Sequence, residues 1–222
     1  MKILILAAMD KETDLLINLL ESPEMRIIAG TKTWRGKIGN HSVDISRCGI
    51  GKVNAAVNTL RFIQLIQPDL VINSGVAGGA GVPVGTILVA DKVAYHDTWC
   101  GPGTEYGQAD GMPLFMLPYH KILEFTAKDH IQQGLICSGD KFISSPEEIK
   151  FIRSKFPDVK AVDMESAAVA QTCIICGIPF AIVRVVSDTP GEGENISQYK
   201  DFWETAPQKT FMVLTKILSE LK

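Results

Sequence analysis

KILILAAM at 2–9 is a continuous run of apolar residues, and DLVINSG at 69–75 and IPFAIVRVVSD at 178–188 read as further buried strands. A strand with one wet face alternates apolar and polar residues, whereas an unbroken run is the pattern of a strand covered on both faces. The segments between these runs carry helical spacing. DKETDLLINLL places Leu15, Leu16, Leu19 and Leu20 at helical intervals, and GIGKVNAAVNTLRFIQLIQPD reads as a helix entered through two glycines and closed before Pro68. Further helices are expected at PEEIKFIRSKF, ESAAVAQTCIIC and TAPQKTFMVLTKILSEL. TKTWRGKIGNHSVDISRC reads as two strands joined by a Gly39-Asn40 turn, with two more strands at VGTILVADKVAYH and GLICSGDKF. Buried strands alternating with helices predict a layered α/β fold.

The chain has 222 residues, 46% of them hydrophobic, enough to bury a large core. No internal repeat, low-complexity tract or Gly/Ser/Pro-rich linker divides it, so residues 1–222 are expected to form a single domain. The polar irregular segments at 98–112 and 189–197 are loop or lid candidates. The 22 Lys and Arg are scattered among 25 acids for a net charge of -3, which provides no basic face for nucleic acid or membrane and points to a small-molecule partner. The opening MKILILAAMDKE is too short for a signal-peptide core and runs into charge, and no other stretch is long and apolar enough to span a bilayer. Five cysteines, an odd number without framework spacing, indicate reduced thiols and a cytoplasmic location.

Ligands of open α/β sheets bind beyond the carboxyl ends of the strands, so those ends are where chemistry is expected. Here they read Met9-Asp10-Lys11-Glu12, a glycine-rich loop from Asn73 to Gly79, Ser138-Gly139-Asp140-Lys141-Phe142, Asp163-Met164-Glu165, and Arg184 with Ser187 and Asp188. Each acid has a plain structural role open to it. Glu12 can be an ordinary first-turn acid, Glu165 can interact with the dipole of the helix that follows it, and Asp188 can cap a loop. What favours function is that all three are expected at the same end of neighbouring strands. GVAGGAG lacks the GxGxxG register and GIGKVN lacks Walker spacing, so their glycines are read as allowing close approach to a ligand. Cys173 and Cys176 form a CxxC late in a helix, where a lowered thiol pKa is not expected, and they are read as core packing. His96-Asp97 is a possible acid–base pair but reads better as structural. Four histidines without HxxxH or Cys/His clustering argue against a metal site.

The strings AAMDKE, INSGVAGG, YHD followed by EYGQ, SGDKFI, VDMES and RVVSD resemble, in order and spacing, the nucleoside phosphorylase family. Within it the chain most resembles the 5'-methylthioadenosine/S-adenosylhomocysteine nucleosidases, along nearly its whole length. The resemblance implies a three-layer phosphorylase-like fold, with a central mixed twisted sheet flanked by helices. It also implies a homodimer that hydrolyses the N-glycosidic bond of 5'-thio-substituted adenosines, with 5'-deoxyadenosine as a further substrate, and that needs no metal or organic cofactor. Breaking a ribose–adenine bond develops positive charge on the sugar and negative charge on the base, so an acid, a carboxylate and a water activator are required. By resemblance Asp188 protonates N7 of adenine, Glu12 activates water, and Glu165 accepts hydrogen bonds from the ribose hydroxyls with Met164 packed on the sugar. The same resemblance puts Phe142 against the adenine and the backbone of Ile143 at its edge. Met9, Ile50 and Tyr199 line the sugar and tail side, Arg184 helps to position Glu165 and the water, and Ser187 orients Asp188. Val76 and Gly78 complete the set.

Departures from the family pattern fall at Asp163, where glutamate is common and whose supporting contact is expected to be altered or carried by water, and at Val76, where serine is common. The WCGPGT loop is short, and Trp99 stands in for the aromatic residue expected from the partner subunit. Three classes compete: a hydrolase, a phosphorylase using phosphate, and a binder without catalysis. MDKETD and NSGVAGGAG carry no phosphate-binding arginine, and Glu12 would repel the anion, which favours hydrolysis. A nucleosidase acting on futalosine is the rival within the hydrolases.

Overall fold

The structure is a computed structural model that describes residues 1–129, 131–192, 195–205 and 212–221, with backbone alone at 204, 205 and 212. In chain order the elements are β1 (Lys2–Ala7), α1 (Asp10–Ile17), β2 (Glu21–Ile28), β3 (Thr31–Ile38), β4 (His41–Arg47), α2 (Lys52–Ile66), β5 (Leu70–Gly79) and β6 (Ile87–Tyr95). They continue with α3 (His120–Lys128), β7 (Gln132–Ser138), α4 (Pro146–Lys155), β8 (Val159–Asp163), α5 (Ser166–Cys176), β9 (Phe180–Asp188), α6 (Asn195–Thr205) and α7 (Met212–Glu220). The expected C-terminal helix is therefore seen from Met212, and its first part, 206–211, lies outside the described residues. Among the described residues no helix is long and apolar enough to cross a membrane.

The unbroken apolar runs become strands buried on both faces, for the reason their composition requires. Along β1, Leu4 and Leu6 pack with Phe62 of α2 and with Ala167, Ala168 and Val169 of α5. Ile3 and Ile5 face the other way, onto Leu16 of α1, Ile122 of α3 and Leu214, Ile217 and Leu218 of α7. The result is the expected three layers, helices on both sides of a mixed sheet. A third apolar cluster seats α4, through Ile149 and Ile152, on Leu135, Cys137, Val159 and Val162 of β7 and β8. The predicted stop of α2 holds as well: Gln67 takes the left-handed conformation (φ 52°) and Pro68 follows. Cys173 sits in the core and Cys176 packs against it, as the CxxC reading expects.

The nine strands run in the order β2-β3-β4-β1-β5-β8-β7-β6-β9, and β9 returns to pair with β5. That last pairing closes β5, β8, β7, β6 and β9 into a barrel, from which β1, β4, β3 and β2 extend as an open wing. Four features differ from the sequence reading. First, β2 was unread because ESPEMRII has neither alternation nor burial; it is the edge strand, with Pro23 at an irregularity between Glu21 and Glu24. Second, α3 and α6 were unread; α6 begins inside the segment taken as a loop at 189–197. Third, the glycine-rich segment is no loop, because β5 continues through it to Gly79, pairing with β9 and, at Gly78 and Gly79, with β8. Last, β8 runs antiparallel to β5, so Glu165 does not lie at the same end of parallel neighbours as Glu12 and Asp188. It reaches them because the closed barrel lays the carboxyl end of β8 across the carboxyl end of β5.

Candidate active site

Glu12 is placed by local rules. It is the third residue of α1, and its Oε2 accepts hydrogen bonds from the backbone N–H groups of Ala8 (2.9 Å) and Met9 (3.0 Å), closing a capping arrangement at the end of β1. Its other oxygen, Oε1, leaves the helix and accepts from the N–H of Val76 on β5 at 3.0 Å. The first-turn role and a role in the cavity are thus filled by one side chain. Gly75 makes room for it, since a Cβ there would stand 2.6 Å from Oε1.

Glu165 does not cap its own helix. Its Oε1 accepts from the N–H of Gly51, 2.9 Å away at the start of α2, a position that Gly51 supplies with φ 89°. The next N–H of α2, from Lys52, goes to Asp140 at 2.7 Å, so two carboxylates from distant segments share that positive helix end. Asp163 lies behind Glu165. It accepts from Ser138 Oγ and Ser166 Oγ, and Arg184 Nε donates to its Oδ2 at 2.8 Å. The shorter side chain therefore keeps its arginine directly, and neither the altered contact nor the water bridge expected there is needed. Arg184 is almost fully buried and donates also to the Asn73 carbonyl (3.1 Å), Asn73 Oδ1 and Ser166 Oγ (2.8 Å). Its hydrogen bonds go to Asp163, Ser166, Asn73 and the Val183 carbonyl, and its charge acts on Glu165 from behind Asp163.

Asp188 owes its direction to an irregularity. In the β5–β9 ladder Ala77 pairs with Val186 and Gly78 with Asp188, leaving Ser187 as an extra residue. Such a bulge turns the following side chain. Ser187 Oγ donates to Asp188 Oδ1 at 2.7 Å, as expected, and Asn195 Nδ2 at the start of α6 donates to Oδ2 at 3.2 Å. Asn195 donates also to the carbonyl of Ile143 at 3.2 Å, so one buried amide ties Asp188 to the segment after β7. Sequence reasoning missed Asn195 and Ser166; the Asn seven residues after Asp188 carried no periodic or motif signal.

These groups line one cavity. Glu12, Glu165, Asp188 and Asp163 face it, together with Met9, Ile50, Phe142 and Tyr199. Val76, Gly78, Met164 and Ser187 complete the expected set, while Ile143 lines an adjoining recess with Phe142 and Asp188. Tyr199 meets Phe142 edge to face at 5.7 Å and donates to Met9 Sδ at 3.5 Å, so α6 closes one side. Arg184 stands behind Asp163 and does not line it, and Trp99, expected to serve the partner's pocket, is 59% exposed on the 98–106 loop. His96 is buried away from the cavity, and Asp97 pairs with Lys52 at 2.9 Å, which matches their structural reading. Among the described residues no group of three or more His, Cys, Asp or Glu is arranged to hold a metal ion.

Burial decides the electrostatics. It raises the Asp188 carboxyl above its ordinary 3.8, with the hydrogen bonds from Ser187 and Asn195 pulling the other way. Burial also raises Glu12, against the Arg184 charge and its three backbone N–H donors. Glu165 is pushed up to about 7, first by burial and then by the neighbouring Asp163. Carboxyl groups whose protonated form is favoured by burial suit proton transfer to a leaving group, and those that stay anionic suit stabilisation of a cation.

Comparison with known proteins agrees with this geometry. The phosphorylase superfamily pattern matches residues 2–219. The chain is 37% identical over 232 residues to the 5'-methylthioadenosine/S-adenosylhomocysteine nucleosidase of a Geobacillus species, with 100% of each chain covered. Among solved structures, the corresponding nucleosidase of Streptococcus pneumoniae with the transition-state inhibitor MT-ImmA superposes with TM-score 0.94 at 33% identity, covering 100% of both chains. A futalosine hydrolase mutant of Helicobacter pylori superposes with TM-score 0.89 at 28% identity, covering 99% of both. Identity of this order from end to end, on a shared fold, means that the chain belongs to the phosphorylase superfamily and, within it, to the 5'-methylthioadenosine/S-adenosylhomocysteine nucleosidases.

Proposed function

We propose that the protein hydrolyses the N-glycosidic bond of 5'-methylthioadenosine and S-adenosylhomocysteine, releasing adenine and the thioribose sugar. The observation that carries this is a single cavity lined by Glu12, Glu165 and Asp188 from three separate elements, with no Lys or Arg among its described lining residues. Adenine stacks on Phe142, with the backbone of Ile143 at its edge. Asp188, whose carboxyl is raised by burial and oriented by Ser187, gives its proton to N7 as the bond to C1' lengthens. Glu165, in its anionic form, holds the ribose hydroxyls and stabilises the positive charge growing on the sugar, with Met164 against the ring. Glu12, fixed by Ala8, Met9 and Val76, orients the water and takes its proton. A cavity lined by carboxylates and lacking a lysine or arginine disfavours phosphate as the nucleophile. Incubation with 5'-methylthioadenosine, S-adenosylhomocysteine and futalosine, with and without phosphate, tests the reading. Free adenine and a reducing sugar at a phosphate-independent rate are expected; ribose 1-phosphate as the main sugar product, or cleavage of futalosine alone, would refute it.

The working form we propose is a cytoplasmic homodimer of single-domain subunits. One continuous sheet through all nine strands supports the single domain, and five free thiols support a reducing compartment. For the dimer, Val53, Val57 and Leu60 form an exposed apolar row on α2, next to exposed Ile174 and Ile175 on α5. The Lys52–Asp97 ion pair ties the Trp99 loop to the same end of α2, so Trp99 can serve the partner's tail pocket. Val57→Glu is expected to yield a monomer of much reduced activity by light scattering and assay; a fully active monomer would refute the dimer.

A further inference from the structure

The segment 189–197, a lid candidate in the sequence, carries a buried amide that no step of the proposed reaction uses. Asn195, the first residue of α6, is only 4% exposed. The turn before it is clamped on two sides. Pro190 packs so closely on Gly78 of β5 that a Cβ there would stand 2.5 Å from Pro190 Cγ. Gly191 (φ 84°) lies against the start of α4, where its own Cβ would stand 2.9 Å from the Pro146 Cα. Backbone hydrogen bonds then fix the helix start: Glu192 N–H donates to the Thr189 carbonyl at 3.2 Å and Asn195 N–H to the Glu192 carbonyl at 3.0 Å, while Thr189 N–H donates to Gln198 Oε1 at 2.8 Å. The side-chain amide so placed donates through Nδ2 to Asp188 Oδ2 and to the Ile143 carbonyl, each at 3.2 Å.

We propose that Asn195 is a positioning residue for protonation of the leaving group, holding Asp188 as an acid of working strength at a fixed spacing from the backbone of Ile143; the inference rests on the nucleosidase reading of the cavity. When Asp188 gives up its proton it becomes an anion in a buried place, where charge is costly. An N–H aimed at Oδ2 stabilises that anion more than the neutral acid, and so eases the transfer. In the folded chain this hydrogen bond lowers the Asp188 carboxyl against the effect of burial. Ser187 acts in the same sense on Oδ1, but it is the adjacent residue. Asn195 acts from another element, so the strength of the acid depends on α6 being in place. The same helix brings Tyr199 against Phe142 and Met9, so one element sets both a wall of the cavity and its acid. Of the other titratable groups around Asp188, Glu12, Asp163, Glu165 and Tyr199 line the same cavity and Lys141 the adjoining recess, and each stays as it is when Asn195 alone is changed.

The test measures kcat/KM across pH for the wild type, Asn195→Ala and Asn195→Asp, on 5'-methylthioadenosine and on an analogue with a nitrophenyl leaving group at C1'. Loss of a hydrogen bond to a charged group should slow adenine release roughly ten- to hundredfold in Asn195→Ala. The nitrophenyl substrate, whose departure needs no proton, should stay within about twofold, which also shows that the variant is folded. The alkaline limb of the adenine profile should move to higher pH, because without the amide the Asp188 carboxyl keeps its proton further up the scale. Asn195→Asp keeps the size, removes the amide donors and sets a second carboxylate against Asp188, so it should show the same split between substrates with the limb displaced at least as far. Equal losses on both substrates with the limb unmoved, or wild-type rates on both, overturn the assignment and leave the amide a structural tie. A wild type inactive on 5'-methylthioadenosine overturns the reading of the cavity, and this one with it.

Discussion

Glu165→Gln separates what the buried carboxylate does for catalysis from what it does to stability. Glutamine keeps the shape and the carbonyl oxygen that accepts the Gly51 N–H, but it cannot ionise. In the wild type the folded protein keeps the Glu165 proton from an ordinary 4.5 up to about 7, because burial and Asp163 oppose the charge. Through that window the unfolded chain has released its proton and the folded chain has not, so folding stability falls as pH rises and stays lowered above about 7. At about 1.4 kcal/mol for each pH unit, the loss comes to about 3 kcal/mol. Urea unfolding of wild type and variant at pH 4.5 and pH 8, at one protein concentration, reads it directly. The variant should gain on the wild type by about 3 kcal/mol between the two pH values, while its activity on 5'-methylthioadenosine falls sharply. A difference between the two proteins that is the same at both pH values would refute the reasoning, and would mean that Glu165 ionises in the folded state as freely as in the unfolded chain.

Asp188→Asn should slow release of adenine by roughly 10² to 10⁴ while largely sparing a substrate with a nitrophenyl leaving group at C1'; Glu12→Gln should slow both. Equal losses on both substrates for Asp188→Asn would make Asp188 a structural cap. Arg184→Met leaves Asp163 charged and unpaired among buried groups, so chemical denaturation should show a loss of about 3–5 kcal/mol, partly recovered by adding Asp163→Asn. No recovery would mean that Arg184 acts through its bonds to Asn73 instead. Gly75→Ala forces the Glu12 carboxylate aside, because its Cβ would stand 2.6 Å from Oε1, and kcat should fall roughly 10²-fold with little change in KM. A rate close to wild type would place the water elsewhere.

The amino-acid sequence by itself determined the layers and most of the cavity. Unbroken apolar runs can only be satisfied between helices, which made β1, β5 and β9 legible, and Gly51 and Pro68 bounded α2 through backbone constraints that act locally. Glu12 was legible for the same reason: it is held by Ala8 and Met9, four and three residues away. Only the tertiary structure decided the rest, because the deciding contacts join residues far apart in the chain and leave no period. The antiparallel direction of β8, the closure of β9 onto β5, the bulge at Ser187 and the 114-residue reach from Gly51 to Glu165 all arise from how strands pair rather than from what they contain. Asn195 shows the limit most plainly. Nothing in its neighbourhood marks it, yet once α6 is folded its amide bonds to both Asp188 and the carbonyl of Ile143, 52 residues away in the chain.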